Sequence, residues 1–114
     1  MVHVKTIQMT FSGSSEMLND VPHCERVLDA ITDKIGLTKL HTIHHQFQPQ
    51  GVSIVQLLAE SHIAMHTWPE TSQGYITITT CKLEAMNEDS IRALLEQYNL
   101  QIVELLTFSE SLTA

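Results

Sequence analysis

The stretch GVSIVQLLAESHIAMHTWPE, residues 51–70, decides how this chain folds. Two runs rich in apolar residues, 52–58 and 62–68, flank a short polar break and read as strands. Trp68-Pro69 closes the second run, because proline cannot donate to a strand ladder. So short a connection, turning at Ala59-Glu60, pairs the two runs antiparallel. In such a pair the index numbers of facing residues share one sum. A turn centred between Ala59 and Glu60 sets that sum at 119 and places Ser53 opposite His66. The Glu60–Ser61 peptide then lies at the end of the hairpin.

Reading outward, residues 3–11 alternate as a strand and Ser12-Gly13-Ser14-Ser15 is a loop. Asp20 caps a helix whose stripe is Cys24, Val27, Leu28, Ile31 and Ile35, and Gly36 ends it. Residues 38–47 form another strand with Leu40, Ile43 and Phe47 as its apolar positions, followed by a turn at Pro49-Gln50-Gly51. Residues 75–81 are rich in β-branched residues and read as a strand. Asn87 caps a second helix carrying Ile91, Leu94, Leu95 and Tyr98, and 100–108 is the last strand. The order β-α-β-β-β-β-α-β predicts an α+β two-layer sandwich: a mostly antiparallel sheet with two helices on one face. The middle strands carry enough apolar residues for both faces. That favours a homodimer joined through sheet faces or edges into a larger sandwich.

The chain has 114 residues, 43% of them hydrophobic, which suits one domain spanning residues 1–114. The net charge of −7, with six Lys and Arg thinly spread, excludes a nucleic-acid backbone as partner and is compatible with a cationic small molecule. No apolar run reaches the roughly 18 residues of a membrane span. Met1-Val2-His3-Val4-Lys5 lacks the layout of a signal peptide. These features predict a cytoplasmic protein without a membrane partner, with Cys24 and Cys81 as free thiols.

Glu60, Ser61, His62 and His66 put four proton-exchanging groups into seven residues. A serine at a bent peptide can attack its own upstream carbonyl. Ser61 Oγ reaches the Glu60 carbonyl carbon through a five-membered ring, at low entropic cost. The amide becomes an ester. A base then removes the Ser61 α-proton, the Glu60 carboxylate leaves, and the resulting dehydroalanine hydrolyses to a pyruvoyl group.

The same stretch, with Thr79-Thr80-Cys81 after it, resembles the prokaryotic S-adenosylmethionine decarboxylase family. Glu60-Ser61-His62 and His66-Thr67-Trp68-Pro69-Glu70 match its self-cleavage and catalytic region, densely from His45 to Pro69 and again at Thr80-Cys81. The resemblance implies cleavage between Glu60 and Ser61 into fragments 1–60 and 61–114. Ser61 would become the pyruvoyl cofactor, whose ketone captures the substrate amine as a Schiff base and acts as an electron sink. His66 matches the base of the elimination step and Ser53 its hydrogen-bonding partner. Cys81 matches the acid that returns a proton after carbon dioxide leaves. Phe47 matches a ring stacked on the substrate base, and Glu70 a carboxylate on its ribose. The implied reaction makes decarboxylated S-adenosylmethionine, an aminopropyl donor for polyamines such as spermidine. If the site spans two copies, Phe47 serves the neighbour's pocket. His62 receives no chemical step.

The chain departs from the family pattern in places. Thr71-Ser72-Gln73-Gly74-Tyr75-Ile76-Thr77 replaces a Tyr-Gly-Tyr-Ala-Ala stretch that ends in an acid. Lys82 stands where glycine is usual, and Thr10-Phe11-Ser12-Gly13-Ser14 replaces an acid followed by aromatic residues. The processing groups are kept while the residues around the substrate differ, so arginine or ornithine is the alternative substrate. Two readings outside this chemistry remain open. One is a dimeric binding domain without catalysis. The other is a metal module using His41, His44, His45, His62 and His66. Against the second, His44 and His45 point to opposite faces of a strand and no H-E-x-x-H pattern is present. The expectation is no metal.

Overall fold

Side chains alternate between buried and exposed along Val52–Leu58 and Ser61–Trp68, and these two strands form the centre of one sheet. The computed structural model describes residues 2–82 and 87–112. In chain order the elements are β1 (Val2–Ser12), α1 (Ser15–Leu18), α2 (Val21–Ile35), β2 (Lys39–Gln46), β3 (Val52–Leu58), β4 (Ser61–Trp68), a 3-10 turn (Pro69–Thr71), β5 (Gln73–Thr80), α3 (Glu88–Gln97) and β6 (Gln101–Leu112). The six strands lie in the order β2-β3-β4-β5-β1-β6, every neighbouring pair antiparallel. The expected α+β sandwich with its helices on one face is the observed one, with three helices in place of two.

The added helix, α1, is four residues long, too short to show a period. Ser14 caps it, and its one buried side chain, Leu18, is sealed in the core. Helix α2 begins where Asp20 accepts a hydrogen bond from the His23 amide at 3.0 Å. It ends at Gly36, whose φ of 78° is the left-handed conformation that glycine takes without a Cβ penalty. The buried stripe is the predicted one, joined by Thr32. Asn87 caps α3, which buries Ile91 and Leu95.

The sheet face under the helices carries Ile7, Met9 and Phe11 of β1, Ile54 and Leu58 of β3, Ile63 and Met65 of β4, and Ile76 and Ile78 of β5. Gly74 is required there, since a Cβ at that position would lie 2.3 Å from the Phe11 ring. A polar chain crosses this layer beneath α2. Thr32 Oγ1 donates to Gln56 Oε1 at 2.9 Å, and Gln56 Nε2 donates to Asp29 at 2.7 Å, so the buried amide is satisfied at both ends. It ties the C-terminal half of α2 to the middle of β3.

The opposite face carries no helix among the described residues. Ile43, Val55, Leu57, Trp68, Leu106 and Phe108 all stand exposed, and the register places Ile43 beside Val55. Leu40, Ile43 and Phe47, the apolar positions expected of β2, are exposed as well. Strand ends also differ from expectation. β4 starts at Ser61, β5 runs 73–80 and leaves Cys81 beyond the sheet, and β6 continues to Leu112 along the eleven-residue β1. Among the described residues no helix is long and apolar enough to cross a membrane.

Candidate active site

The β3–β4 connection is two residues long, with Leu58 paired to Ser61 and Ser53 paired to His66, the register the index sum predicts. Glu60 sits in it at φ +60°, a left-handed conformation that costs a non-glycine residue roughly 1–2 kcal/mol. Strain is therefore stored at the residue that donates its carbonyl to the Glu60–Ser61 bond. The turn is braced, since the Ala59 amide donates to the Thr38 carbonyl at 2.9 Å. Ser61 is the first residue of β4 and is half-buried. Its Oγ donates to Thr80 Oγ1 at 2.6 Å.

Because β5 ends at Thr80, the next residue turns off the sheet and the Cys81 thiol is exposed. Glu60, Ser61, Cys81 and Lys82 share a cavity of about 410 Å³ with the Gly36–Leu37–Thr38 loop. Lys82 Nζ donates to the Gly36 carbonyl at 3.1 Å, so the residue that departs from the family pattern forms part of the cavity rim.

A second cluster lies at the far end of the hairpin. His66 Nδ1 and Ser53 Oγ are 2.7 Å apart. They line a cavity of about 450 Å³ with Phe47, Trp68 and Glu70. The loop that carries Phe47 is tied down at its base: Asn19 Oδ1 accepts from the Gly51 amide at 2.8 Å and from Gln46 Nε2 at 2.9 Å. The Phe47 ring stands edge-on to His45, centroids 4.6 Å apart. The Glu70 side chain is exposed on the 3-10 turn.

The sequence-predicted residues thus fall into two groups. Glu60, Ser61 and Cys81 are together; Ser53, His66, Phe47 and Glu70 are together. Within one chain the groups do not meet. Ser61 and His66 are five residues apart on one strand, about 16 Å at a strand's rise. They also point to opposite faces, Ser61 with the buried Ile63 and Met65, and His66 with the exposed Trp68. Histidine and serine on a shared strand cannot close that distance by rotating side chains. His62, given no step, is exposed on the open face.

Thr80 and Tyr75 were given no role from sequence. Thr80 holds the Ser61 hydroxyl, and Tyr75 lies directly opposite His66. The index-sum rule was the signal for both. A turn centred between Glu70 and Thr71 gives a sum of 141, which pairs 61 with 80 and 66 with 75. A further cavity, about 660 Å³, lies at the N-terminal end of α2 and contains none of the predicted site residues. Among the described residues no group of three His, Cys, Asp or Glu is placed to hold a metal. His44 faces Glu25 of α2 at 3.0 Å, so it is turned away from the open face.

The two thiols differ sharply. Cys24 is buried, and its pKa is pushed up to about 12 by desolvation first and by Asp20 and Glu25 next. Alkylation of the folded protein at neutral pH is expected to modify Cys81 and spare Cys24, as peptide mapping would show. The raised value also sets an alkaline limit. Below about pH 9 the Cys24 thiol keeps its proton in both folded and unfolded chains. Above it the unfolded chain loses that proton while the folded chain holds it until about pH 12, so stability falls across that window. Denaturant midpoints of the wild type and Cys24→Ala should converge between pH 8 and 11, and parallel curves would contradict this.

Fold and site together define a small α+β sandwich protein with a serine hydroxyl at a strained hairpin turn and a free thiol in the same cavity. The family model described as S-adenosylmethionine decarboxylase matches residues 6–110, and the chain belongs to that family. It is 34% identical over 97 residues to an S-adenosylmethionine decarboxylase proenzyme of Synechococcus, an alignment covering 85% of this chain and 76% of the relative. A proenzyme of the same name from Prochlorococcus marinus is 36% identical over 80 residues, covering 70% of this chain. The chain spans just under two thirds, 64%, of that relative's length. Among solved structures, the adenosylmethionine decarboxylase of Aquifex aeolicus superposes with a TM-score of 0.72 at 22% identity, over 96% of this chain and 88% of that one, a likeness of fold.

Proposed function

We propose that this chain is a self-processing decarboxylase of S-adenosylmethionine, active as a homodimer. The observation that carries the reading is the strained Glu60–Ser61 turn, whose hydroxyl opens on the same cavity as the Cys81 thiol. In the first step Ser61 Oγ attacks the Glu60 carbonyl carbon and the C–N bond breaks, leaving an ester and a free amine. Removal of the Ser61 α-proton then expels the Glu60 α-carboxylate, and hydrolysis of the resulting dehydroalanine through its imine releases ammonia and leaves a pyruvoyl group on residue 61. The residues present fit such a group, because Ser61 is the first residue of a strand and borders about 410 Å³ of open volume. When formed, it supplies a ketone that withdraws electrons from the carbon losing carbon dioxide.

The base for the elimination comes from a second copy. The two clusters occupy opposite ends of the hairpin. A two-fold axis lying between two open faces and across the strands sets one copy's His66 over the open-face side of the other's Ser61 backbone, where the proton to be removed is the one on the α-carbon, while the Ser61 hydroxyl stays on the helix side. The exposed apolar row Ile43, Val55, Leu57, Leu106 and Phe108 lies on the face such a dimer would cover. With Nδ1–H donating to Ser53 Oγ, His66 presents a lone pair on Nε2 and is oriented as a base. Cys81 returns a proton to the substrate carbon, a role supported by its exposure in the cavity of its own Ser61. The ring of Phe47 and the carboxylate of Glu70 sit in the His66 cluster, available to the adenine and ribose of a substrate held between copies.

Processed protein given carboxyl-labelled S-adenosylmethionine, arginine and ornithine in turn should release labelled carbon dioxide from the first. Release from either amino acid alone would overturn the substrate assignment.

A further inference from the structure

Resting on the self-cleavage reading, we propose that Thr80 is the positioning residue for the attacking hydroxyl. Thr80 is the last residue of β5, fully buried, and faces Ser61 across the β4–β5 pair. Its Oγ1 accepts from Ser61 Oγ at 2.6 Å and from the Lys82 amide at 3.0 Å. Two donors converging on one oxygen of a β-branched side chain fix that oxygen in place. The Ser61 O–H is thereby directed at Thr80, which leaves the Oγ lone pairs free for the Glu60 carbonyl carbon.

In the attack the Oγ–C bond forms and the C–N bond of the peptide breaks. The Ser61 nitrogen takes up the proton that the hydroxyl gives up, so the step is balanced within residues 60 and 61. Thr80 neither gains nor loses a proton over the whole step. Its contribution is orientation, and loss of orientation of this kind slows intramolecular attack by up to about a hundredfold.

The test follows wild type, Thr80→Ser, Thr80→Val and Thr80→Ala by intact mass after synthesis. Thr80→Ser, which keeps the oxygen, should cut within about threefold of wild type. The two variants without it should cut about tenfold to a hundredfold more slowly. Thermal melts identify which of them is folded, and one folded variant decides. Neutral hydroxylamine, which cleaves esters and spares amides, should not accelerate cutting of the slow variant, because the delay precedes the ester. Wild-type cleavage rates in a folded Thr80→Val or Thr80→Ala would overturn the assignment. So would rapid hydroxylamine cleavage between residues 60 and 61, which places the delay in the elimination. A wild type that never cuts would instead refute the reading beneath it.

Discussion

Ser61→Ala is expected to leave the chain whole and to release no carbon dioxide from S-adenosylmethionine. Alanine has no atom to attack the Glu60 carbonyl, so neither ester nor ketone can form. The loss is complete in kind, because the reaction would lack its electron sink. The fold should survive. Ser61 is half-buried at a strand end, and the bond it loses is the one to Thr80 Oγ1, which keeps its second donor in the Lys82 amide. A cooperative melt near that of unprocessed wild type, with a single full-length mass, is the expected pair of results. Cys81→Ala gives the contrasting result. Cys81 lies off the sheet, so the chain should still cut while turnover should fall. If Cys81→Ala blocks cutting, the thiol belongs to processing and its place in turnover is wrong.

The second large effect is restoration by mixing. Alone, Ser61→Ala lacks the nucleophile and His66→Ala lacks the base, so each stays uncut. Co-expressed in equal amounts, random pairing makes about half of the dimers mixed. Each mixed dimer has one complete site, formed by Ser61 of the His66→Ala chain and His66 of the Ser61→Ala chain. About half of the His66→Ala chains should then appear as fragments 1–60 and 61–114, and none of the Ser61→Ala chains. The separation of about 16 Å along the strand makes this outcome a requirement of the two-copy site. Efficient cutting of His66→Ala alone would remove the histidine from processing. Absence of fragments in the mixture would remove the second copy.

Much of this was legible in the residues because the hairpin obeys a simple rule. Two strands, a two-residue turn and an antiparallel pair set the Ser53–His66 contact with no other input, and the structure has it at 2.7 Å. Capping by Asp20 and Asn87 and the stop at Gly36 were equally local. What failed to show was set by distant partners. α1 is too short to display a period and exists to bury Leu18. β6 reads as ending near 108, because Ser109-Glu110-Ser111 is polar, yet its pairing with Val2–Lys5 of β1 carries it on. Starting β5 at 75 hid the pairing of Ser61 with Thr80, since the two added residues, Gln73 and Gly74, look like turn chemistry. Gly74 is instead a strand position under the Phe11 ring. The separation of the site into two clusters was also implicit. Residues 61 and 66 on one strand have opposite parity, and parity alone puts them on opposite faces.

The most direct test of the account is the mass of the purified wild-type chain under denaturing conditions. Two species are predicted, residues 1–60 with an ordinary C-terminus and residues 61–114 with a blocked N-terminus that reacts with hydrazine. A single species at 12.8 kDa, unchanged on long incubation and inert to hydrazine, would contradict it.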